Sequence, residues 1–303
     1  MTSWNRFFPV RGMLLLLCIV AAQLMGSTHV MADDLKDIKA RGEIRHLGIP
    51  YANFIIGQGD GLEVEVVKLF ARHLGVQYRF VQTNWGTVFS DLTGQRVEPV
   101  GDEVKVVGTA PIKGDIIASG LTVLPWRQKV IDFSLPTFPT QVWCIARADF
   151  PLKPVQSSGN LDKDIATVKG MLAKRRVMGK SGTCLAPGLY GIDGTIATII
   201  NFPGNLNDIA PAIIKGEADI ALLDVPDALV ALEKWPGKIK VLGPLSPNQE
   251  MGAGFRKTSP ELRKAFNAFY QKLVASGEYV HLVKKYYPAV FQHYNDFFTS
   301  TSN

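Results

Sequence analysis

The sequence is poor in cysteine and in clustered charge. Only three cysteines occur in 303 residues, and Cys18 lies in an apolar leader, which leaves Cys144 and Cys184. We expect these two to be free, buried thiols, but an exported protein permits a disulfide and the sequence leaves that alternative open. The longest basic run, Lys174 to Arg176, has no interleaved aromatic residue. This pattern argues against a nucleic-acid partner.

Histidine pairs at metal-site spacing are also absent from the sequence. The isolated histidines beyond the leader are expected to be packed or solvated side chains: His46, His73, His281 and His293. The sequence has no recognisable nucleophile–base pair. We therefore expect no metal, no other cofactor and no catalytic residue.

Long apolar runs are confined to the start of the chain. Arg6 and Arg11 precede the uncharged run Met13–Met25, and small residues suited to cleavage follow it. This pattern predicts a secretory signal peptide over residues 1–32. The leader holds two of the 33 basic residues and none of the 27 acidic ones, so the mature chain would have 271 residues and a net charge of +4. We expect an exported, monomeric protein.

The remaining chain alternates between strand-like and helix-like segments. Ile44–Ile49 is strand-like, whereas Leu62–Leu74 places its apolar residues on one helical face and ends before Gly75. Further strands are predicted at Val76–Val81, Asp115–Thr122, Gln141–Ala146, Arg176–Gly179, Asp219–Leu223 and Ile239–Leu242, and helices at Pro260–Ser276 and Glu278–Tyr287. This alternation predicts an α/β fold with largely parallel sheets.

Two proline-containing segments, Pro136–Pro139 and Gly243–Pro247, interrupt this alternation and are expected to cross between two lobes. The predicted division is residues 33–139 for the first part of lobe 1, 140–245 for lobe 2 and 246–303 for the return to lobe 1. A ligand cleft is expected between the lobes. Separately, the Gly101-Asp102 turn within Glu98–Val107 predicts a β-hairpin.

Polar and aromatic side chains follow several predicted strands, where ligands of open α/β sheets gather. An arginine can bind a carboxylate with two parallel N–H bonds, and an aspartate can accept from an ammonium group. Aromatic rings can cover a side chain. These features predict a site for a zwitterionic solute, with the candidate ligand-binding residues Tyr51, Trp85, Ser119, Thr122, Arg127, Thr183 and Asp224.

Each candidate alone also has an ordinary structural interpretation. Arg127 can be a solvated or structurally paired cation. Asp224 can be a helix N-cap, because Pro226 follows it within what would be a first helical turn. Ser119 and Thr122 can be hydroxyls that bond to nearby backbone. Their joint order along the chain is the stronger signal.

That order resembles the family 3 bacterial extracellular solute-binding proteins, the periplasmic receptors of amino-acid ABC importers. The matching segments are SGLTVLPWRQKVIDFS, GEADIALLDVPDAL and SPELRKAFNAFYQKLVASGEYVHLVKKYY. The resemblance implies a type II periplasmic-binding-protein fold, a periplasmic location and an ABC permease as partner. It also implies Ser119, Thr122 and Arg127 for the ligand carboxylate, Asp224 for the ammonium group, Tyr51 and Trp85 for stacking, and Thr183 as a donor from lobe 2.

Departures from the family pattern keep other functions open. Gly120 stands where many members have serine, Cys184 stands where serine or threonine is frequent, and the Glu98–Val107 segment is extra. One alternative is a periplasmic enzyme of the cyclohexadienyl dehydratase type, with Asp224 or Glu63 as general acid. Another is an accessory or sensor protein that takes no part in transport. Ligand identity stays open.

Overall fold

The computed structural model describes Met1 and residues 34–57 and 59–299. The predicted signal peptide, apart from Met1, lies outside the described residues. Within them, every helix is too short or too polar to cross a membrane.

Strands and helices alternate along most of the described chain. The strands are β1 (Glu43–Gly48), β2 (Gln77–Gln82), β3 (Gln95–Val100), β4 (Glu103–Thr109), β5 (Ile116–Ile117), β6 (Ile131–Phe133), β7 (Phe138–Thr140), β8 (Val142–Arg147), β9 (Arg176–Gly179), β10 (Thr198–Asn201), β11 (Ile220–Asp224), β12 (Ile239–Pro244), β13 (Gln249–Met251) and β14 (Gly254–Arg256). The α-helices are α1 (Asp34–Arg41), α2 (Leu62–Leu74), α3 (Val88–Thr93), α4 (Pro125–Val130), α5 (Leu161–Met171), α6 (Ile209–Ile214), α7 (Val225–Lys234), α8 (Pro260–Ala275), α9 (Glu278–Tyr286) and α10 (Phe291–Thr299).

Most predicted elements agree with these bounds to within a residue or two. Helix α2 begins and ends as its apolar periodicity predicts, and Gly75 caps it in the left-handed conformation at φ 72°. The predicted β-hairpin also forms, because β3 and β4 pair antiparallel with Val100 opposite Glu103. The Gly101-Asp102 turn lies between them, as the sequence indicates.

Two five-stranded sheets organise the described residues. The first has the order β2-β1-β5-β14-β6, and the second has the order β10-β9-β11-β8-β12. Both sheets are largely parallel, as predicted, because four of the five strands in each run in the same direction and only one is reversed. Strand β14 is antiparallel to β5 and β6, and β8 is antiparallel to β11 and β12. Both reversed strands follow a crossing segment, so the chain enters each sheet in the opposite direction.

The predicted strand over Asp115–Thr122 is shorter than expected, since only Ile116–Ile117 forms a strand. The rest of that segment is buried but leaves the sheet. Its backbone instead bonds to the chain at 250–252, where Val123 donates to Glu250 and Gly252 donates to Leu121. Apolar composition alone cannot distinguish a buried strand of the sheet from a buried segment that lies outside the sheet.

Strand β7, which overlaps the predicted crossing segment Pro136–Pro139, lies beside β13, which begins two residues after the predicted segment Gly243–Pro247. Strands β7 and β13 pair antiparallel, with Thr140 opposite Gln249 and Phe138 opposite Met251. Strand β14 then joins the first sheet, so that sheet is assembled from separate parts of the sequence. The boundaries at 139/140 and 245/246 remain a proposal.

Candidate functional site

Arg127 lies in the first turn of the short helix α4, which begins at Pro125. Its side chain is fully buried, and Nη1 donates to the Thr122 carbonyl at 2.9 Å. Nε and Nη2 have no hydrogen-bond partner among the described residues. The guanidinium carbon lies 5.4 Å from the ring centroids of both Trp85 and Trp126. A buried cation with free N–H groups is costly unless an anion reaches it.

Ser119 and Thr122 flank the glycine of the same loop but differ in their bonding. The Ser119 hydroxyl accepts from Ile49 N–H at 2.9 Å and donates to the Ala118 carbonyl at 2.7 Å, so it ties the loop to the end of β1. The Thr122 hydroxyl is buried next to the Cys184 thiol and has no hydrogen-bond partner of good geometry among the residues that the structure describes. Thr122 is therefore the freer donor of the two.

Gly120 adopts a left-handed conformation, at φ 62°, between these hydroxyls. A Cβ there would lie 2.5 Å from the Phe54 ring, so the serine that many family members have does not fit without rearrangement. The Gly120 N–H donates to the buried Glu63 carboxylate at 2.6 Å. Burial raises the pKa of Glu63 to about 7, and the bond from Gly120 offsets this only in part.

Asp224 is the last residue of β11 and the N-cap of α7, as its structural interpretation predicts. Its Oδ1 accepts from Asp227 N–H at 3.3 Å, and its Oδ2 accepts from the Cys184 thiol at 3.6 Å. Burial raises the pKa of Asp224 to about 6. The rise is limited by the hydrogen bonds that Asp224 accepts, including one from Tyr51, and by the positive charge of Arg127. The carboxylate can still accept from an ammonium group once it is ionised.

Tyr51 and Trp85 lie on the side of the first sheet. The Tyr51 hydroxyl donates to Asp224 Oδ1, and the Tyr51 and Trp85 rings meet edge to face at 6.0 Å. The next residue, Ala52, has a positive φ of 43°, and its N–H donates to Asn207 Oδ1 at 2.8 Å. Since Asp224 ends β11 and Asn207 follows β10, both strands of the second sheet, this loop contacts the opposite half of the protein twice.

Thr183 lies in the turn after β9 and is buried. Its hydroxyl donates to the Lys180 carbonyl at 2.8 Å and accepts from Leu185 N–H at 3.1 Å, so it stabilises the turn itself. The neighbouring Cys184 contacts Asp224 instead. Cys144 and Cys184 are both free and buried, as expected.

The structure therefore brings Tyr51, Trp85, Arg127 and Asp224 together, with Thr122 beside Cys184. The Ser119 hydroxyl is bonded to the backbone of Ala118 and Ile49, and the Thr183 hydroxyl is bonded to the backbone of its own turn. The charge of Asp224 raises the pKa of Arg127, and the charge of Arg127 lowers the pKa of Asp224. In the described part of the chain, however, no salt bridge joins the two side chains.

Asp227 was missed by sequence reasoning. It lies on the first turn of α7, three residues after Asp224, and is 4% exposed. Its Oδ2 has no hydrogen-bond partner within the described chain. Burial and the charges of Asp224 and Asp208 raise the pKa of Asp227 well above its ordinary range. The spacing in DVPD is a signal for two carboxylates on one helical turn, although an acidic residue there is usually explained by helix capping.

A cavity of about 710 Å³ lies beside this cluster. It is lined by the ends of β1 and β2, by Trp85, and by residues that follow β9 and β10, among them Lys180, Asn207 and Asp208. Trp85 thus contributes both to the cavity wall and to the surroundings of Arg127.

Residues 108–289, more than half of the chain, match the sequence model of the bacterial extracellular solute-binding proteins, family 3. The chain belongs to this family.

Solved structures share the fold of this chain. A mutant of ArgBP from T. maritima superposes with a TM-score of 0.67 at 23% identity, over 84% of this chain and 99% of that one. The ancestral amino acid-binding protein AncCDT-1, a precursor of cyclohexadienyl dehydratase, gives 0.65 at 23% identity, over 84% and 100%. The two-lobed α/β fold is confirmed.

Curated family relatives include binding proteins and an enzyme. The L-cystine-binding protein TcyJ of Escherichia coli strain K12 is 25% identical over 77% of this chain and 76% of its own length. The membrane-bound lytic murein transglycosylase F of Desulfosudis oleivorans is 27% identical over 76% of this chain. The present chain spans only 44% of that transglycosylase.

Proposed function

We propose that this family 3 protein captures a free amino acid between its two lobes in the periplasm and delivers it to an ABC permease. The proposal rests on the buried guanidinium of Arg127, whose Nε and Nη2 have no partner among the described residues. A carboxylate is the anion that fits a planar fork of two N–H groups. The hydroxyl of Thr122 supplies a further donor beside it.

The opposite charge needed for a zwitterion comes from Asp224. Arg127 precedes a strand of the first sheet, and Asp224 ends a strand of the second. A solute that reaches both charges contacts both lobes and therefore favours the closed form. The names of the relatives support this choice of ligand class, because TcyJ is named as a binding protein for an amino acid.

An enzyme of the dehydratase type is less well supported by the site. Glu63, one candidate general acid, is buried and already accepts a hydrogen bond from Gly120 N–H. Asp224, the other, is engaged by Tyr51, Asp227 and Cys184. Turnover of prephenate or arogenate by the purified protein would establish this alternative.

An accessory role would be indicated by co-purification with a protein partner and by failure to bind free solutes.

Isothermal titration calorimetry of the mature protein against the free amino acids tests the proposal. At least one free amino acid is expected to bind. Its methyl ester and its N-acetyl derivative should bind at least about 30-fold more weakly, because each leaves one buried charge unpaired. The proposal fails if no free amino acid binds, or if the methyl ester and the N-acetyl derivative bind as tightly as the free amino acid.

A further inference from the structure

A second cavity, of about 460 Å³, lies between the β3–β4 hairpin, helix α4 and the end of β14. Among the described residues, none of the candidate ligand-binding residues and no strand of the second sheet lines this hairpin cavity. Helix α4 contributes to both regions. Arg127 is buried beside Trp85, whereas Lys129 and Val130, at the end of the helix, line the hairpin cavity. Its volume is typical of a small-molecule site.

One wall of the hairpin cavity is apolar. Val97 lies opposite Val106 in the hairpin, and Val104 lies two residues before Val106, so all three share one face. Val130 of α4 adds a fourth valine to the lining. Val106 is 55% exposed, so a ligand seated here would remove apolar surface from water, at a gain of about 25 cal/mol per Å². This wall can therefore cover the apolar part of a ligand.

The charged side chains of the lining are mostly cations. Lys129 is paired with the carboxylate of Glu103, which is the one acidic group among the described lining residues. The positive surplus therefore lies at Arg256, the last residue of β14, and at Lys257. The Lys257 ammonium is 3.7 Å from the Asp132 carboxylate, which it shares with an arginine of α8 at 3.8 Å.

The Arg256 guanidinium is fixed in place by the backbone. Its Nη1 donates to the Gly114 carbonyl at 2.6 Å and to the Leu92 carbonyl at 3.2 Å, and the side chain is 17% exposed. Its Nη2 is 3.5 Å from Asp115, which accepts shorter bonds from two other arginines. Asp34 also acts on Arg256, but its carboxylate accepts from a backbone N–H of α8. Arg256 thus shares each nearby carboxylate with other donors.

We propose that the hairpin cavity is a second binding site, separate from the cleft, for a small organic acid with an apolar body. Arg256 and Lys257 bind its carboxylate, and the valines of the hairpin and of α4 cover the apolar body. A guanidinium held in a fixed orientation is suited to a planar carboxylate, and the neighbouring ammonium adds a second positive charge. The inference does not depend on the proposed function, because the two sites share no residue.

Saturation-transfer difference NMR with matched probes tests this site. 4-Phenylbutyrate combines a carboxylate with an apolar body, whereas 4-phenylbutan-1-ol lacks the charge and acetate lacks the apolar body. 4-Phenylbutyrate is expected to bind the wild type at least about 10-fold more tightly than either of the other two probes. Arg127→Ala should bind 4-phenylbutyrate as tightly as the wild type does, because the probe lies outside the cleft.

Variants of the two walls locate the probe. Arg256→Gln should weaken the binding of 4-phenylbutyrate at least about 10-fold, and Lys257→Gln and Val106→Ser should each weaken it about 3–5-fold. The first control is Val107→Ser, which alters the next residue of β4, outside the lining of this cavity. The second control is Lys169→Gln, which removes an exposed cation in the last turn of α5. Both controls should bind the probe as the wild type does.

The inference is overturned if 4-phenylbutyrate does not bind, if either of the other probes binds as tightly, or if binding is lost in Arg127→Ala. Unchanged binding in a folded Arg256→Gln protein would also overturn it. If that variant does not fold, Lys257→Gln and Val106→Ser decide, and wild-type binding by both would overturn the inference.

Discussion

The Tyr51 hydroxyl donates a hydrogen bond to Asp224 Oδ1 and so joins the loop after β1 in the first sheet to the end of β11 in the second. Asp224 is also the proposed acceptor for the ammonium group of the solute. Tyr51 and the solute would therefore compete for the same carboxylate. The contact between Ala52 N–H and Asn207 adds a second link between the same two halves.

Tyr51→Phe is expected to shift the unliganded protein toward an open form. A hydrogen bond to a charged group contributes about 1.5–3 kcal/mol, which corresponds to a change of roughly 10-fold or more in the closed-to-open ratio. Small-angle X-ray scattering should show a larger radius of gyration for the unliganded variant than for the wild type. Tyr270→Phe, which removes a hydroxyl bonded to the Thr137 carbonyl, is the control. Identical scattering of Tyr51→Phe and the wild type would contradict the view that the Tyr51–Asp224 hydrogen bond stabilises the closed form.

Solute binding is expected to weaken in acid because Asp224 must be ionised to accept from an ammonium group. Burial raises the pKa of Asp224 to about 6, so the ionised form is depleted as the pH falls through that value. The affinity should be constant well above pH 6 and should fall up to about tenfold per pH unit below it. Calorimetry between pH 4.5 and 8 measures this. Asp224→Asn should bind weakly and lose this dependence, and a flat wild-type profile would contradict the role of Asp224.

Glu63→Gln is expected to stabilise the protein at alkaline pH. The pKa of Glu63 rises from its ordinary value of 4.5 to about 7, so its folded state binds the proton more tightly than the unfolded state. The resulting stability is fully present below pH 4.5 and is lost as the pH rises to about 7, a change of about 3 kcal/mol. Glutamine can still accept from Gly120 N–H and does not titrate.

Urea unfolding at several pH values tests this prediction. The difference in unfolding free energy between Glu63→Gln and the wild type should grow between pH 4.5 and 7 and then level off. Glu65→Gln on the same helix is the control, because hydrogen bonds from Lys285 and Tyr286 lower the pKa of Glu65. Its effect should have the opposite sign. A difference for Glu63→Gln that does not vary with pH would contradict the burial argument.

Local sequence signals predicted most of the fold. The periodicity of Leu62–Leu74 and the Gly101-Asp102 turn depend on neighbouring residues alone, and both elements form as expected. The directions of β8 and β14 depend instead on where the chain re-enters each sheet after a crossing. No short stretch of sequence carries that information.

The candidate site shows the same division between local and tertiary information. Residue types and their order indicated Arg127 and Asp224, and the structure places both in one buried cluster. The hydroxyls of Ser119 and Thr183 have bonding partners that depend on loop conformation. Asp227 lies in the first turn of α7, so its position in the sequence resembles an ordinary helix start, whereas its burial depends on tertiary packing.

The central claim, that Arg127 binds the carboxylate of the solute, is tested most directly by calorimetry of Arg127→Ala and Arg127→Lys with an amino acid that binds the wild type. Arg79→Ala, which removes an exposed arginine beside Glu43, is the control. Loss of the guanidinium should cost about 2–5 kcal/mol of binding free energy, and lysine should restore only part of it because it lacks the planar fork. Unchanged affinity in a folded Arg127→Ala protein would contradict the account.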